Sequence, residues 1–179
     1  AQGARAAKAV PVSPGGTVHD FVPFYFAPRS PMLSAIHNGK VAGCQVLQQD
    51  IVHFETTVDR VTAAGEAFAF FDRNATLAYS KAYNDLARLD AVAWDLLMEP
   101  PTLDGFCKYF QNRHQEARYV DRMERRQAEF LVQGRVPLAQ FARVGVCNAE
   151  RARVVSAILA AERVPLPVEV MPDWYFLGQ

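Results

Sequence analysis

The run Glu129-Phe130-Leu131-Val132 constrains the fold more than any other stretch of this chain. Its three apolar residues predict a short buried strand, and Glu129 lies where that strand follows the basic segment Arg125-Arg126-Gln127. A carboxylate among apolar neighbours on a strand is costly to bury unless it is paired or used. An edge-strand glutamate that points to water is the alternative, and the pattern alone leaves both open.

Length and composition describe an ordinary soluble globular protein. The chain has 179 residues, of which 50% are hydrophobic and 21% charged, enough for one domain with a single core. Nineteen basic and nineteen acidic residues cancel, so the net charge indicates no polyanionic partner. Arginines nevertheless outnumber acidic residues between Arg113 and Arg126, a pattern that fits either a phosphate-binding surface or a solvated helix face.

The cysteines and the apolar runs bear on the compartment. Cys44, Cys107 and Cys147 have no Cys-x-x-Cys spacing, so we expect neither a disulfide framework nor a zinc site, and we expect a cytoplasmic protein. No apolar run approaches the ~18 residues of a membrane span, so no membrane partner is expected. The first ten residues lack the apolar core of a signal peptide. The chain does not begin with Met, so we expect a processed, trimmed or incomplete version of the gene product.

Short strands alternate with short helices without a regular βαβ rhythm, which predicts an α+β domain with a substantial sheet. Ser30 as N-cap and Pro31 as first helical residue predict a helix that ends at Asn38-Gly39. Asn148 predicts the start of another helix, which runs to about Glu162. The predicted strands cover residues 18–26, 51–55, 67–71, 126–132, 143–147 and 168–171.

Two further segments precede the strand that is predicted over residues 126–132. Residues from about 74 to 98 carry helical periodicity and predict two short helices, with Tyr79, Tyr83 and Trp94 in the core. Residues 102–122 combine polar groups with aromatic ones and predict a long loop, which is either disordered or functional.

The common catalytic signatures are absent from the sequence. Pro14-Gly15-Gly16 lacks the spacing of a phosphate-binding loop, the four histidines are scattered, and no Gly-x-Ser-x-Gly occurs. We therefore expect no metal. The remaining carboxylates, arginines and aromatic rings suit a reaction that ionises a glycosidic bond, because a cationic sugar needs an electrostatic partner and a nucleophile needs a base.

Two segments carry a family resemblance. One is His19–Leu33, with its run Val-Pro-Phe-Tyr-Phe-Ala-Pro-Arg-Ser-Pro-Met-Leu, and the other is Arg125–Val132. Both strongly resemble the DarT toxins, bacterial DNA ADP-ribosyltransferases of DarTG toxin–antitoxin systems. Pro172–Phe176 fits the C-terminal end of that family, and the resemblance extends from about Arg5 to the end of the chain.

The resemblance implies a single ADP-ribosyltransferase domain over residues 1–179. Its α+β fold would be a split mixed β-sheet with an NAD cleft, surrounded by short helices. The implied reaction transfers ADP-ribose from NAD+, the co-substrate, to a base in single-stranded DNA, with thymidine as the expected acceptor. The implied partners are single-stranded DNA and a DarG-like macrodomain antitoxin. We expect the chain to lack the family's N-terminal Tyr-His-x-Thr-like strand, which lies upstream of the arginine that Arg5 matches.

The resemblance also implies residue roles. Glu129 and Arg5 would be catalytic: Glu129 would stabilise the ribose cation and accept the acceptor's proton, and Arg5 would stabilise charge on the base. Arg29 and Tyr25 would bind NAD+. The residues expected to bind nucleic acid are Met32, Asn74, Arg113, His114, Arg118, Tyr119 and Arg122.

The substrate-reading loop would be roughly Gly105–Arg126, with Tyr109, Phe110 and Tyr119 stacking on bases. At Asn74 some relatives carry His. Packing alone would explain Tyr25 and Met32, and a solvated face would explain the arginines.

Two alternatives stay open. One is an ADP-ribosyltransferase that acts on guanine, RNA or protein. The other is a catalytically silent domain that binds single-stranded nucleic acid.

Overall fold

The helices and strands are short, as the sequence predicts. A computed structural model describes residues 2–99 and 112–176. The helices are α1 (Gln2–Ala7), α2 (Pro31–His37), α3 (Val58–Thr62), α4 (Trp94–Leu97), α5 (Arg122–Arg125) and α6 (Ala149–Ala161). The strands are β1 (Phe21–Tyr25), β2 (His53–Glu55), β3 (Phe68–Phe71), β4 (Ala82–Tyr83), β5 (Glu129–Gln133), β6 (Arg143–Val146) and β7 (Val168–Val170). Short 3-10 helices cover Val18–Asp20, Gln48–Asp50, Leu86–Ala91, Ala117–Tyr119, Leu138–Gln140 and Pro172–Trp174.

The chain divides into two compact units, each with its own sheet. The first unit is Ala1–Ala27 with Thr62–Val136, and the second is Pro28–Val61 with Pro137–Gln179. The prediction of an α+β chain with substantial β-structure is confirmed, since strands in two sheets are interleaved with helices.

The sheet of the first unit has the order β1-β5-β3-β4, with antiparallel neighbours throughout. The apolar run after Glu129 therefore lies on an internal strand with a neighbour on each side. Phe130, Leu131 and Val132 are at most 2% exposed, so both faces of this strand are covered. The edge-strand alternative for Glu129 is thereby excluded.

Each face of this sheet has a distinct core. On one face the Phe130 ring stacks on Phe68 at 5.1 Å, and Phe70 stacks on Tyr83 at 5.1 Å. The other face contributes Phe21, Ala69, Phe71 and Leu131 to a cluster that includes Val10 and Val18 of the N-terminal segment. Residues directly opposite each other in a sheet share a face, so Glu129 lies on this second face together with Tyr25 and Phe71.

The second unit holds a mixed sheet of order β2-β6-β7, in which β2 is antiparallel and β7 parallel to β6. Helix α6 joins the parallel pair, as a crossover connection requires. Leu33, Cys147 and Tyr175 form a buried cluster in this unit. The Tyr175 hydroxyl donates to the carbonyl oxygens of Ile51, at 2.7 Å, and Gly145.

The capping signals are confirmed. The Ser30 hydroxyl oxygen accepts from the Leu33 N–H at 3.2 Å, and Pro31 is the first residue of α2. The Asn148 side chain accepts from the Arg151 N–H at 3.0 Å and begins α6. Each cap depends on residues three positions apart, which is why the sequence alone locates it.

The prediction of two short helices between residues 74 and 98 is correct only for the second half of this range, where a 3-10 helix capped by Asp85 precedes α4. Strand β4 pairs with the end of β3, a 3-10 helix follows, and only α4 is α-helical. Tyr79 and Trp94 are exposed rather than in the core. The reason is a long-range strand pairing, in which Ala82 and Tyr83 of β4 lie opposite Phe71 and Phe70 of β3. Local periodicity contains no information about a partner strand.

Candidate active site

Glu129 is the first residue of β5 and is only 3% exposed. It pairs with Tyr25 at the end of β1 and with Phe71 at the end of β3. The central strand of the first unit thus begins where both neighbouring strands end. A buried carboxylate at such a position needs polar partners.

Arg5 of α1 supplies the first partner. Its Nη1 donates to Glu129 Oε1 at 3.2 Å and its Nη2 donates to Oε2 at 2.9 Å. This is a bidentate, charge-assisted pair, which fixes a carboxylate both in energy and in direction. The two residues predicted to be catalytic are therefore in direct contact.

A turn in the N-terminal segment holds α1 in place. Gly15 and Gly16 have φ values of 82° and 86°, which favour glycine. The turn brings the two sides of the segment together: the Val18 N–H donates to the Lys8 carbonyl and the Val10 N–H donates to the Gly16 carbonyl, both at 2.9 Å. The Lys8 ammonium also donates to the Leu77 carbonyl at 3.0 Å.

A backbone group supplies the second partner of Glu129. The Ala75 N–H donates to Oε1 at 3.1 Å. Ala75 lies in the turn that follows β3 and is fully buried. Sequence reasoning missed this contact, and no side-chain signal could have found it because a main-chain N–H is present at nearly every residue.

Asn74 precedes Ala75 in the same turn, and its side-chain amide is engaged at both ends. Its Oδ1 accepts from the Thr76 N–H at 2.9 Å and the Thr76 hydroxyl at 2.7 Å. Its Nδ2 donates to Gln127 Oε1 at 2.7 Å. The structure thus places Asn74 beside the chain that leads into Glu129.

Tyr25 shares the face of Glu129 and is 40% exposed. Desolvation raises the pKa of its phenol, and the negative charge of Glu129 raises it further, while Arg5 opposes the shift. The hydroxyl therefore stays protonated in neutral solution and is available as a donor beside the buried carboxylate.

Three guanidinium groups surround the Tyr119 ring and form an arginine–tyrosine cluster. The distances from the guanidinium carbon to the ring centroid are 4.2 Å for Arg122, 5.4 Å for Arg118 and 6.0 Å for Arg113. Arg113, Arg118 and the neighbouring His114 are exposed, whereas Arg122 is 2% exposed. Arg122 thus supports the ring from the inside, and the other three side chains face solvent.

Carboxylates balance this cluster. Glu99 Oε1 accepts from the Tyr119 hydroxyl at 2.5 Å and Glu99 Oε2 lies 3.7 Å from Arg122 Nη1. Arg118 Nε lies 3.2 Å from Asp95 Oδ2. Glu99 was missed from the sequence, where its only signal is its place directly before two prolines. Its hydrogen bond is the main reason that the pKa of Tyr119 is raised.

The segment between the arginine–tyrosine cluster and Glu129 is bonded to the rest of the unit. Asn112 donates to both Glu124 carboxylate oxygens, at 3.2 and 3.0 Å. Arg73 donates to Asp121 Oδ2 at 3.0 Å. Helix α5 is thereby connected to the loop before it and to the turn after β3.

Arg29 and Met32 belong to the second unit. Arg29 is 8% exposed, and its Nε donates to the Asp173 carbonyl oxygen. Met32 lies in the first turn of α2 and is half-buried. Tyr109 and Phe110 fall outside the described residues, as does Gly105–Gln111 as a whole.

In the described parts of the chain, residues 2–99 and 112–176, every helix is too short or too polar to span a bilayer. The same parts contain no group of three or more His, Cys, Asp or Glu side chains that could hold a metal ion.

Comparison with known proteins identifies a family. Residues 1–176 match the family described as DarT, ssDNA thymidine ADP-ribosyltransferase. A DNA ADP-ribosyl transferase of Thermus aquaticus is 34% identical over 177 residues, which cover 98% of this chain and 72% of that protein.

Solved structures agree. The DarT of Thermus sp. 2.9 in complex with NAD+ superimposes with a TM-score of 0.82 at 31% identity, covering 97% of this chain and 81% of that one. The same protein in complex with ADP-ribosylated ssDNA gives 0.83 at 31% identity, covering 98% and 78%. The expected ADP-ribosyltransferase-like fold is therefore confirmed, with its β-structure split into an antiparallel and a mixed sheet.

Proposed function

This chain belongs to the DarT family and is an NAD-dependent DNA ADP-ribosyltransferase, and on that premise we propose that it modifies thymidine in single-stranded DNA with Glu129 as catalytic carboxylate. The observation that carries this proposal is the burial of Glu129 at the start of an internal strand, where Arg5 binds both of its oxygens. The support for thymidine is the description of the family. We take both compact units as parts of one transferase domain, since the family match spans both.

The reaction breaks the bond between the ribose C1′ and the nicotinamide nitrogen, and nicotinamide leaves with the bonding electron pair. The ribose becomes cationic, and the Glu129 carboxylate stabilises that charge because it is fixed in a site of low solvent exposure. A ring nitrogen of thymine then bonds to C1′ and transfers its proton to Glu129.

Arg5 has two roles in this proposal. It orients the Glu129 carboxylate before substrate binds, and its guanidinium is close enough to Glu129 to stabilise negative charge that develops on the thymine carbonyl oxygens. Tyr25, on the same face, offers a ring and a protonated hydroxyl to the nicotinamide end of NAD+. We assign Arg29 to the pyrophosphate and Met32 to base contact by family resemblance.

DNA would contact the exposed members of the arginine–tyrosine cluster. Arg113, His114 and Arg118 face solvent and suit phosphate oxygens, while the half-buried Tyr119 ring offers a surface on which a base can stack. Arg122 is buried against that ring, so it supports the ring and does not contact the DNA.

The experiment that tests the catalytic assignment uses Glu129→Gln. The amide keeps the size of the side chain and an oxygen for the Ala75 and Arg5 donors, but it cannot carry a charge or accept the proton. We expect nicotinamide release and transfer to a thymidine-containing oligonucleotide to fall about a hundred- to ten-thousandfold. Glu162→Gln, an exposed glutamate of the second unit, is the matched control and should keep wild-type activity.

Oligonucleotides that contain a single base type separate the acceptors. Modification of the thymidine oligonucleotide alone, located by mass spectrometry, is expected. Modification of guanine, RNA or added protein would overturn the thymidine assignment, and the absence of nicotinamide release from the wild-type chain would overturn catalysis altogether.

We further propose that the chain is the toxin of a toxin–antitoxin pair, with a DarG-like macrodomain protein as antitoxin. The support is the family resemblance, and a DNA substrate would place the chain in the bacterial cytoplasm. Induced expression of the wild type should arrest growth, Glu129→Gln should not, and co-expression of a DNA ADP-ribosyl-hydrolysing macrodomain should restore growth. Equal toxicity of both forms would contradict this role.

A further inference from the structure

Side-chain hydrogen bonds join the turn after β3 to the chain before β5, and one of them links Asn74 to Gln127. Asn74 Nδ2 donates to Gln127 Oε1 at 2.7 Å, and Gln127 Nε2 in turn donates to the Met123 carbonyl at 3.1 Å. Gln127 precedes Glu129 by two residues. The bond therefore fixes the distance between the turn and the start of the central strand.

Two backbone N–H groups of the same turn also donate to the chain that leads into β5. The Asn74 N–H donates to the Glu124 carbonyl at 3.2 Å, and the Ala75 N–H donates to Glu129 Oε1 at 3.1 Å. Ala75 and Ala128 are fully buried, so little space is left for either segment to shift by itself. The direction of the Glu129 carboxylate therefore depends on where the turn places the Ala75 N–H.

We propose that Asn74 is a positioning residue for Glu129 and acts through Gln127 without touching substrate. This inference rests on the proposed catalytic role of Glu129. Asn74 Oδ1 accepts hydrogen bonds from Thr76 within the turn, and Asn74 Nδ2 donates to Gln127. Since both ends of the amide are engaged, Asn74 has a role different from the base contact expected from the sequence.

The physical effect is preorganisation. A carboxylate that must face a developing cation loses about a hundredfold in rate when it is misplaced by roughly 1 Å. Arg5 alone fixes the carboxylate from one side, and the Ala75 N–H fixes it from another. Loss of the Asn74–Gln127 bond removes one of the restraints on the turn and so weakens the alignment of the Ala75 N–H with the carboxylate.

The test compares Asn74→Ala, Gln127→Met and the double variant with the wild type. Gln127→Met keeps the length of the side chain and leaves the Asn74–Thr76 turn intact, so it tests the bond even if Asn74→Ala does not fold. Asn84→Ala, an exposed asparagine after β4, is the control. Initial rates of transfer are measured over NAD+ and thymidine oligonucleotide concentrations, together with the Kd for the oligonucleotide.

We expect each single variant to lower kcat about 10- to 100-fold while KM for NAD+ and the Kd stay within about threefold of the wild type. The double variant should be no worse than the poorer single variant, because both remove the same bond. A merely structural role would change thermal stability without changing kcat of the folded enzyme.

Three results would overturn the inference: an unchanged kcat, losses that multiply in the double variant, or a Kd that rises with Asn74→Ala alone. The last would indicate direct contact with DNA. Failure of the proposed function is distinguishable, because it would appear as full activity of Glu129→Gln or as an inactive wild type.

Discussion

Tyr25 lies directly opposite Glu129 in the antiparallel pair of β1 and β5, so both side chains are on the same face of the sheet. Tyr25, the last residue of β1, and Glu129, the first residue of β5, thus lie side by side in the candidate active site. Both the desolvation of the phenol and the charge of Glu129 keep the pKa of Tyr25 above its ordinary value.

This relationship predicts how Tyr25 variants behave. Tyr25→Ala removes the ring and should raise KM for NAD+ about three- to tenfold, which corresponds to an aromatic contact of ~0.5–1.5 kcal/mol. Tyr25→Phe keeps the ring and should change KM less. Because its pKa lies above that of a free tyrosine, the phenol ionises only at a higher pH than a free tyrosine does, so Tyr25→Phe and the wild type should show the same rate profile from neutral to moderately alkaline pH. A loss of rate in that range that Tyr25→Phe abolishes would contradict this.

The arginine–tyrosine cluster predicts a salt-dependent and a salt-independent part of DNA affinity. Arg118→Ala should reduce the slope of log Kd against log salt concentration by about 0.7, the value for one phosphate contact on single strands. Tyr119→Ala should weaken binding by ~1–3 kcal/mol at every salt concentration, since stacking releases no counterions. Fluorescence anisotropy with a labelled oligonucleotide measures both.

Two controls accompany that measurement. Tyr119→Phe keeps the ring but loses the hydrogen bond to Glu99, so it should retain most of the affinity. Arg153→Ala removes an exposed arginine of α6 and should leave the slope unchanged. A slope that changes with Tyr119→Ala but not with Arg118→Ala would contradict the assignment.

Gly145 of β6 is predicted to tolerate no side chain. A Cβ at this position would overlap the Trp174 ring, and Trp174 is held in turn by the Arg143 guanidinium at 5.4 Å from its centroid. Gly145→Ala should therefore lower the free energy of unfolding of the second unit by about 1–3 kcal/mol. Denaturant unfolding followed by Trp174 fluorescence, in a Trp94→Phe background, measures it.

A second substitution shows whether steric overlap with Trp174 causes the loss of stability in Gly145→Ala. Trp174→Leu removes the ring that a Cβ would meet, so Gly145→Ala should cost less in that background than in the wild type. Gly3→Ala, where a Cβ would meet nothing within 4 Å, should not destabilise the chain. Additive losses at positions 145 and 174 would show that overlap is not the cause.

His53 of β2 predicts a pH dependence of stability. Desolvation lowers its pKa from 6.5 to about 4, so the unfolded chain binds more protons than the folded chain between these values. The free energy of unfolding should therefore be highest above pH 6.5 and fall by about 1–3 kcal/mol as the pH decreases to 4. His53→Gln should remove this part of the slope in urea unfolding at several pH values. The same slope in both proteins would contradict the assignment.

The sequence by itself determined the features that depend on neighbouring residues. The caps at Ser30 and Asn148 each form a hydrogen bond to a residue three positions later. The apolar run after Glu129 predicted a buried strand without any information about its partner strands. The segments that resemble the DarT family also indicated the fold and the NAD-dependent chemistry.

Only the tertiary structure decided which groups meet at Glu129. Arg5 is 124 positions away along the chain, and the Ala75 N–H has no sequence signal at all. The same limit explains the error between residues 74 and 98, where pairing of β4 with β3 prevailed over helical periodicity. A local pattern measures what one segment favours alone, whereas a buried carboxylate is stabilised by whichever donors the folded chain brings within hydrogen-bonding distance.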